Sequence, residues 1–277
     1  VTSDKRLVSE RFPRSSQYHP EWVLARVGSG GHNALCLTEW LTSAMELRPG
    51  MRVLDLGCGP AQSSIFLRRE FGVQVWATDL WQSASENLQR IRDAGALDGV
   101  FPIHADARSL PFAEDFFDAI VCVGCYYYYF GTDDHYLIYL ARFVKPGGAV
   151  GIANPGIVRE IEGPLPEHLR AWWADDLNFG WCLHSAAWWR RHWKKTGILA
   201  IELADTMPDG WQLWLDWHRV IAPDHALEIK AVEADRGKHL NYVRVVGRRQ
   251  EQAKLLDIVV SLPAEYTKKS LLRSEAE

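Results

Sequence analysis

Short apolar runs alternate with amphipathic stretches along this chain, the pattern of an α/β protein whose sheet is covered by helices on both faces. The first clear run is Arg52-Val53-Leu54-Asp55-Leu56, β-branched at Val53 and suited to a strand buried on both sides. It passes through Gly57-Cys58-Gly59-Pro60 into a predicted helix over Gln62–Phe71. There Ile65, Phe66 and Leu67 oppose Arg68, Arg69 and Glu70, and Gly72 stands in the stop position. Further strands are predicted within Phe71–Asp79, Val100–Ala107, Phe117–Val123, Ala149–Ala153, Ile198–Leu203 and Asn241–Gly247. A helix over Asn33–Leu47 aligns Ala34, Leu37, Leu41 and Ala44 before Arg48-Pro49-Gly50 stops it. The capping box Ser83-Ala84-Ser85-Glu86 opens another, running to about Asp93 and ending at Gly95. Thr132-Asp133-Asp134 is expected to cap a helix that buries Leu137, Ile138, Leu140 and Phe143, and Ser185 to cap one over Ala186–Thr196. Asn154-Pro155-Gly156 reads as a turn.

These elements leave an N-terminal arm over 1–32, a main domain over 33–249 with insertions at about 157–184 and 207–240, and a terminal helix and charged tail over 250–277. A chain of 277 residues holds one such domain with insertions. The 13 tryptophans gather mainly between 172 and 217, which locates the specialised part in the insertions. A net charge of −4 with scattered basic residues points away from a nucleic-acid partner. Five cysteines fit a reducing compartment better than a disulfide framework. No apolar segment approaches the roughly 20 residues of a membrane span, and no secretory pattern is present, so a cytoplasmic location is expected.

Strand, glycine turn and helix together make a nucleotide-type site, because glycine lets backbone approach a ligand where a side chain would collide. A dinucleotide fingerprint would require a third glycine where Gln62 stands, and Pro60 removes one amide donor. Asp55 at the strand end disfavours a phosphate and suits a cationic ligand. S-adenosylmethionine, with its sulfonium and α-ammonium, meets that description. Cys122 and Cys125 form a Cys-x-x-Cys, but Cys122 lies within a strand and no second pair exists, so no metal site is expected.

Val53-Leu54-Asp55-Leu56-Gly57-Cys58-Gly59 resembles motif I of the class I S-adenosylmethionine-dependent methyltransferases, and four later segments repeat the resemblance in order. They are Phe71–Asp79, Val100–Ala107, Phe117–Val123 and the turn Phe143-Val144-Lys145-Pro146-Gly147-Gly148. The elaborated insertions are similar to those of the ubiquinone/menaquinone-type, glycine/sarcosine-type and cyclopropane-synthase-like branches, which differ in acceptor. The resemblance implies a seven-stranded, mostly parallel, doubly wound (Rossmann-like) sheet. Its last strand would be antiparallel, with a helical lid inserted after strands five and six. It implies S-adenosylmethionine as cofactor and S-adenosylhomocysteine as product. Asp79 would hold the ribose, with Leu80, Trp81, Asp106 and Ala107 near the adenine, and Asp55, Gly57, Cys58, Gly59, Val123, Gly124 and the arm residue Tyr18 around the rest.

Methyl transfer from a sulfonium is an in-line displacement, in which holding the reactants in line and dry is worth ~7–11 kcal/mol. A base is needed only where the nucleophile must lose a proton, and His184 and Tyr127 are the candidates. Tyr126, Tyr128, Tyr129, Trp173, Trp181 and Trp214 are candidate walls for a small-molecule acceptor, their alternative being plain packing. Aromatic faces suit an amine or a carbocation as well as a flat phenol or quinol. A homodimer is compatible with the sequence. An S-adenosylmethionine-binding protein without turnover, an NAD-dependent oxidoreductase and a nucleic-acid methylase stay as alternatives. The last is disfavoured by the charge balance and by the absence of an Asn-Pro dyad after the fourth strand.

Overall fold

The computed structural model describes residues 8–27, 31–133, 135–175 and 180–255. Its centre is one sheet of seven strands: β1 (Arg52–Leu56), β2 (Gln74–Asp79), β3 (Val100–His104), β4 (Phe117–Val123), β5 (Val144–Ile157), β6 (Leu199–Thr206) and β7 (Leu240–Arg249). They lie side by side in the order β3-β2-β1-β4-β5-β7-β6. The pairs from β3 to β5 are parallel, while β7 runs antiparallel to both β5 and β6. The expected sheet is therefore observed.

The helices follow in chain order: α1 (Pro20–Leu24), α2 (Ala34–Thr42), α3 (Gln62–Phe71), α4 (Ala84–Asp93), α5 (Tyr126–Tyr129), α6 (Tyr136–Ala141), α7 (Glu167–Asp175), α8 (Ala186–Lys194), α9 (Gly210–Ile221) and α10 (Ala226–Asp235). Local chemistry sets their ends. Asn33 caps α2 through the Cys36 amide, and the Ser83–Glu86 box caps α4 from both sides. Ser185 accepts from the Trp188 amide at the start of α8, and Gly72 closes α3 in the left-handed conformation.

Three local expectations are corrected. Asn154-Pro155-Gly156 is no turn: it continues β5, opposite Val243, Tyr242 and Asn241 of β7. Pairing with β4 ends at Ala153, so Pro155 lacks an N–H on a side where no strand needs one. Strand β5 also starts earlier than expected, inside the Lys-Pro-Gly-Gly segment. Asp133 accepts from the His135 amide at 2.7 Å, yet α6 begins only at Tyr136 and has no side-chain cap. Of the expected C-terminal helix, 256–277 lie outside the described residues.

Both insertions carry helices. After β5 come α7 and a short turn of 3-10 helix at Gly180–Cys182; after β6 come α9 and α10, and α7 packs on α10. Trp172, Trp214 and Trp217 of the insertions are buried, as are Trp189 and Trp193 of α8, so much of the tryptophan excess is core. Among the described residues no helix is long and apolar enough to cross a membrane.

Trp189 tests this packing. It is fully buried against Tyr126 and Trp188, and its indole N–H has no acceptor among the described residues. Trp189→Ala is expected to cost ~3–5 kcal/mol in urea unfolding. Trp189→Phe, which keeps a ring and loses no hydrogen bond, should cost clearly less.

Candidate active site

Where β1 and β4 part in opposite directions, the carboxyl ends of the strands open into a cavity of about 520 Å³. Its floor is four loops: Leu56–Pro60 after β1, Thr78–Trp81 after β2, Ala105–Arg108 after β3 and Val123–Gly124 leading into Cys125 and the tyrosine helix α5. Its roof comes from the arm and the second insertion, through Arg26, Gly31, His32, His218, Ile221, Ala222, His225 and Glu228.

The glycine loop is held by two carboxylates in different ways. Asp79 Oδ2 accepts the Gly59 amide at 2.9 Å, and Oδ1 accepts the amides of Trp81 and Gln82 at 2.8 and 2.9 Å. Of about four acceptor positions on a carboxylate, three are engaged, which leaves room for a further donor from the cavity. Gly57 turns the chain at φ +71°, and a Cβ there would run into Cys125 Sγ, so glycine is required on both counts.

Asp55 sits elsewhere. It is buried beneath the loop and does not line the cavity; Ser63 and Ser64 of α3 donate their hydroxyls to its Oδ2 at 2.6 Å each. The expectation that it meets the ligand directly is thus corrected: it docks α3 against β1. Burial pushes its carboxyl up to about 6, against the two serine hydrogen bonds, which lower it.

The other expected residues divide sharply. Gly57, Cys58, Gly59, Asp79, Leu80, Trp81, Asp106, Ala107, Val123, Gly124, Tyr127, Tyr128 and Tyr129 are brought together around the cavity. Asp106 is engaged by Arg108, at 2.6 Å from Nη2 to Oδ2. Trp81, 56% exposed, meets Tyr129 edge-on with ring centroids 5.0 Å apart. The remaining six lie away from it. Tyr18 packs on Trp22 and Phe66, with its hydroxyl 3.3 Å from Glu70, on the far side of α3. Tyr126 is core, between Phe130, Tyr136, Trp189 and Trp193. Trp173 packs over Gly180, Trp181 is 74% exposed, and Trp214 lies behind the roof, stacked on Tyr242.

The two candidate bases are placed differently. His184 is outside the cavity, stacked on Trp188 at 3.7 Å with Nδ1 3.2 Å from Glu160. Tyr127 does line the cavity, and burial pushes its phenol well above the ordinary value. The residues that sequence reasoning missed are those of the roof: Arg26, His32, His218, His225 and Glu228. Only one signal pointed there, His218 standing four residues after Trp214 on the tryptophan-bearing helix. Outside the cavity His168, Asp235 and His239 place three ligating atoms within 4.8 Å of one another, a cluster not anticipated from the sequence. Cys122 and Cys125 approach to 3.2 Å, and both are free thiols.

Residues 53–148 match the family model described as a methyltransferase domain. Methyltransferase GfsG of Streptomyces halstedii is 32% identical over 119 residues, 43% of this chain and 42% of that one. The ubiquinone/menaquinone biosynthesis C-methyltransferase UbiE of Vibrio parahaemolyticus is 34% identical over 126 residues, 44% of this chain and 46% of its own. The chain thus matches less than half the length of either relative. In three dimensions it is similar to geranyl diphosphate C-methyltransferase from Streptomyces coelicolor A3(2), with a TM-score of 0.63 at 20% identity, covering 76% of this chain and 79% of that one. It is also similar to the [4+2]-cyclase SpnF, at 0.59 and 20%, covering 77% and 80%.

Asp55 generates a pH prediction. Its folded carboxyl, at about 6, lies above the ordinary 3.8, so the folded state holds the proton more tightly than the unfolded chain. The stability it contributes is present below about pH 4 and is lost as pH rises through about 6, by up to ~3 kcal/mol. Asp55→Asn should remove that decline, so that the variant's unfolding midpoint, relative to wild type, improves from about pH 4 to about pH 6 and then levels off towards pH 8.

Proposed function

We propose that this chain, whose residues 53–148 form a methyltransferase domain on the class I fold, is an S-adenosylmethionine-dependent methyltransferase acting on a small-molecule acceptor. The observation that carries this reading is the joining of Asp79 to the two-glycine loop at adjoining strand tips, on the floor of one cavity. The ribose would take the remaining acceptor capacity of Asp79. The adenine would lie between Leu80–Trp81 and Asp106–Ala107, and the amino-acid end over Gly57–Gly59 towards Gly124. When bound, the cofactor supplies a methyl group already activated on sulfur. The protein's own work is then to orient the acceptor and exclude water, which the roof and the aromatic run Tyr127–Phe130 are placed to do.

The acceptor belongs to the aromatic, quinol, amine or prenyl-type molecules. The quinone-pathway and geranyl diphosphate enzymes among the similar proteins support that range. A second reading, cofactor binding without methyl transfer, is favoured by the likeness to a protein named as a cyclase. Labelled methyl donor incubated with a metabolite extract separates the two: transfer of label supports the first, and tight binding with no transfer supports the second.

Calorimetry on the ligand-free protein is expected to detect binding of S-adenosylhomocysteine, and NADH should give no thermal stabilisation. Asp79→Asn should weaken S-adenosylhomocysteine ~10-fold, the loss of one charged hydrogen bond, while leaving the circular dichroism spectrum unchanged. Equal affinity in the variant would remove Asp79 from the site.

A further inference from the structure

The cavity carries opposite chemistry on its two sides. Carboxylates mark the floor, at Asp79 and Asp106, whereas the roof brings Arg26 and three imidazoles, His32, His218 and His225, around a single acid, Glu228. Burial holds His32 well below the ordinary histidine range, and the neighbouring His218 lowers it further, so His32 is neutral.

His218 and Glu228 require a proton between them. His218 Nδ1 is 3.0 Å from the Trp214 carbonyl, which can only accept, so Nδ1 carries a hydrogen. Nε2 then faces Glu228 Oε1 at 3.2 Å, and both side chains are largely buried. Without another proton, a lone pair and a carboxylate would oppose each other in a poorly solvated site. Trp214 Nε1 donates to the same Oε1 at 2.7 Å, which leaves Oε2 as the oxygen still able to accept. His225 Nδ1, on a largely exposed side chain, lies 3.8 Å from Oε2. The other titratable groups that face the pair are His32 at 5.8 Å from His218 between ring centroids, and the buried phenols Tyr127 and Tyr242, both held protonated partly by the charge of Glu228.

We propose that Glu228, held by protonated His218, is the base of the acceptor subsite, and that the acceptor is a hydroxyl-bearing molecule, a phenol or quinol rather than an amine. This rests on the methyltransferase reading. The hydroxyl oxygen attacks the methyl carbon as the carbon–sulfur bond breaks, and that bond's electron pair stays on sulfur to give the thioether. The hydroxyl proton passes to Glu228 Oε2, while the proton on His218 Nε2 stays. Positive charge therefore moves from sulfur to the His218–Glu228 pair, and the cavity's net charge is conserved. An ammonium acceptor is disfavoured, because the pair is neutral overall and the rest of the roof is imidazole and guanidinium.

The test uses the full chain with S-adenosylmethionine and three probe sets: catechol and 4-methoxyphenol as weakly acidic hydroxyls, 4-nitrophenol as a readily ionised one, and phenethylamine and sarcosine as amines. S-adenosylhomocysteine release is expected with the hydroxyl probes. Glu228→Gln should cut kcat/KM ~100-fold on the weakly acidic probes, a general-base effect, and less than tenfold on 4-nitrophenol at pH 8, which needs no base. The affinity for S-adenosylhomocysteine should change less than threefold. Nitrogen NMR at pH 7 should find both His218 nitrogens protonated in the wild type and one in Glu228→Gln. Preference for the amines, no turnover of any hydroxyl probe, equal losses on all hydroxyl probes, or a singly protonated His218 in the wild type would each overturn the proposal. Failure of the wild type to bind S-adenosylhomocysteine would instead overturn the reading beneath it.

Discussion

The geometry of the site depends on how one loop is fastened. Gly57–Gly59 must pass close to Cys125 while keeping its backbone open to the cavity, and a loop with so few side chains cannot hold itself in place. Two acids do it from two directions. Asp79, from the next strand, accepts the Gly59 amide and ties the tips of β1 and β2 together. Asp55 reaches forward from β1 to Ser63 and Ser64, and so sets where α3 begins. The second attachment is made at a cost, because a carboxylate buried with only two hydroxyl partners is pushed towards its protonated form.

The insertions meet the opposite requirement. The second insertion lines the opposite side of the cavity, through α9, α10 and the turn between them. The tryptophans of the insertions pack on one another and on the sheet, and that packing carries His218 and Glu228 into a wall that also holds Arg26, His32 and His225. Trp214 joins the two roles, since its ring stacks on Tyr242 while its N–H orients Glu228. A residue that never reaches the cavity thereby sets the direction of one that does.

The fold leaves the chemistry open. The same arrangement of strands is shared with a geranyl diphosphate C-methyltransferase and with a [4+2]-cyclase, so the sheet alone does not select a reaction. The matched segments of the curated relatives span less than half of this chain.

Much of the cofactor half was legible in the chain itself. The run ending at Asp55, the glycine loop, Asp79 at the next strand tip and the helix over Gln62–Phe71 follow from local rules: apolar runs, stop signals and the need for glycine at positive φ. Such rules act over a few residues, so sequence order carries them. What lines the other side of the cavity was decided only in three dimensions. His184 and Trp181 sit in the first insertion as plausibly as any site residue, yet the chain turns one towards Glu160 and leaves the other in solvent. His218 and Glu228 come from two helices joined by a turn, and meet because α9 and α10 fold against each other and over the sheet. Periodicity marks which helix face is apolar. The partner that face meets, and the polar group carried with it to the ligand, are set by long-range packing.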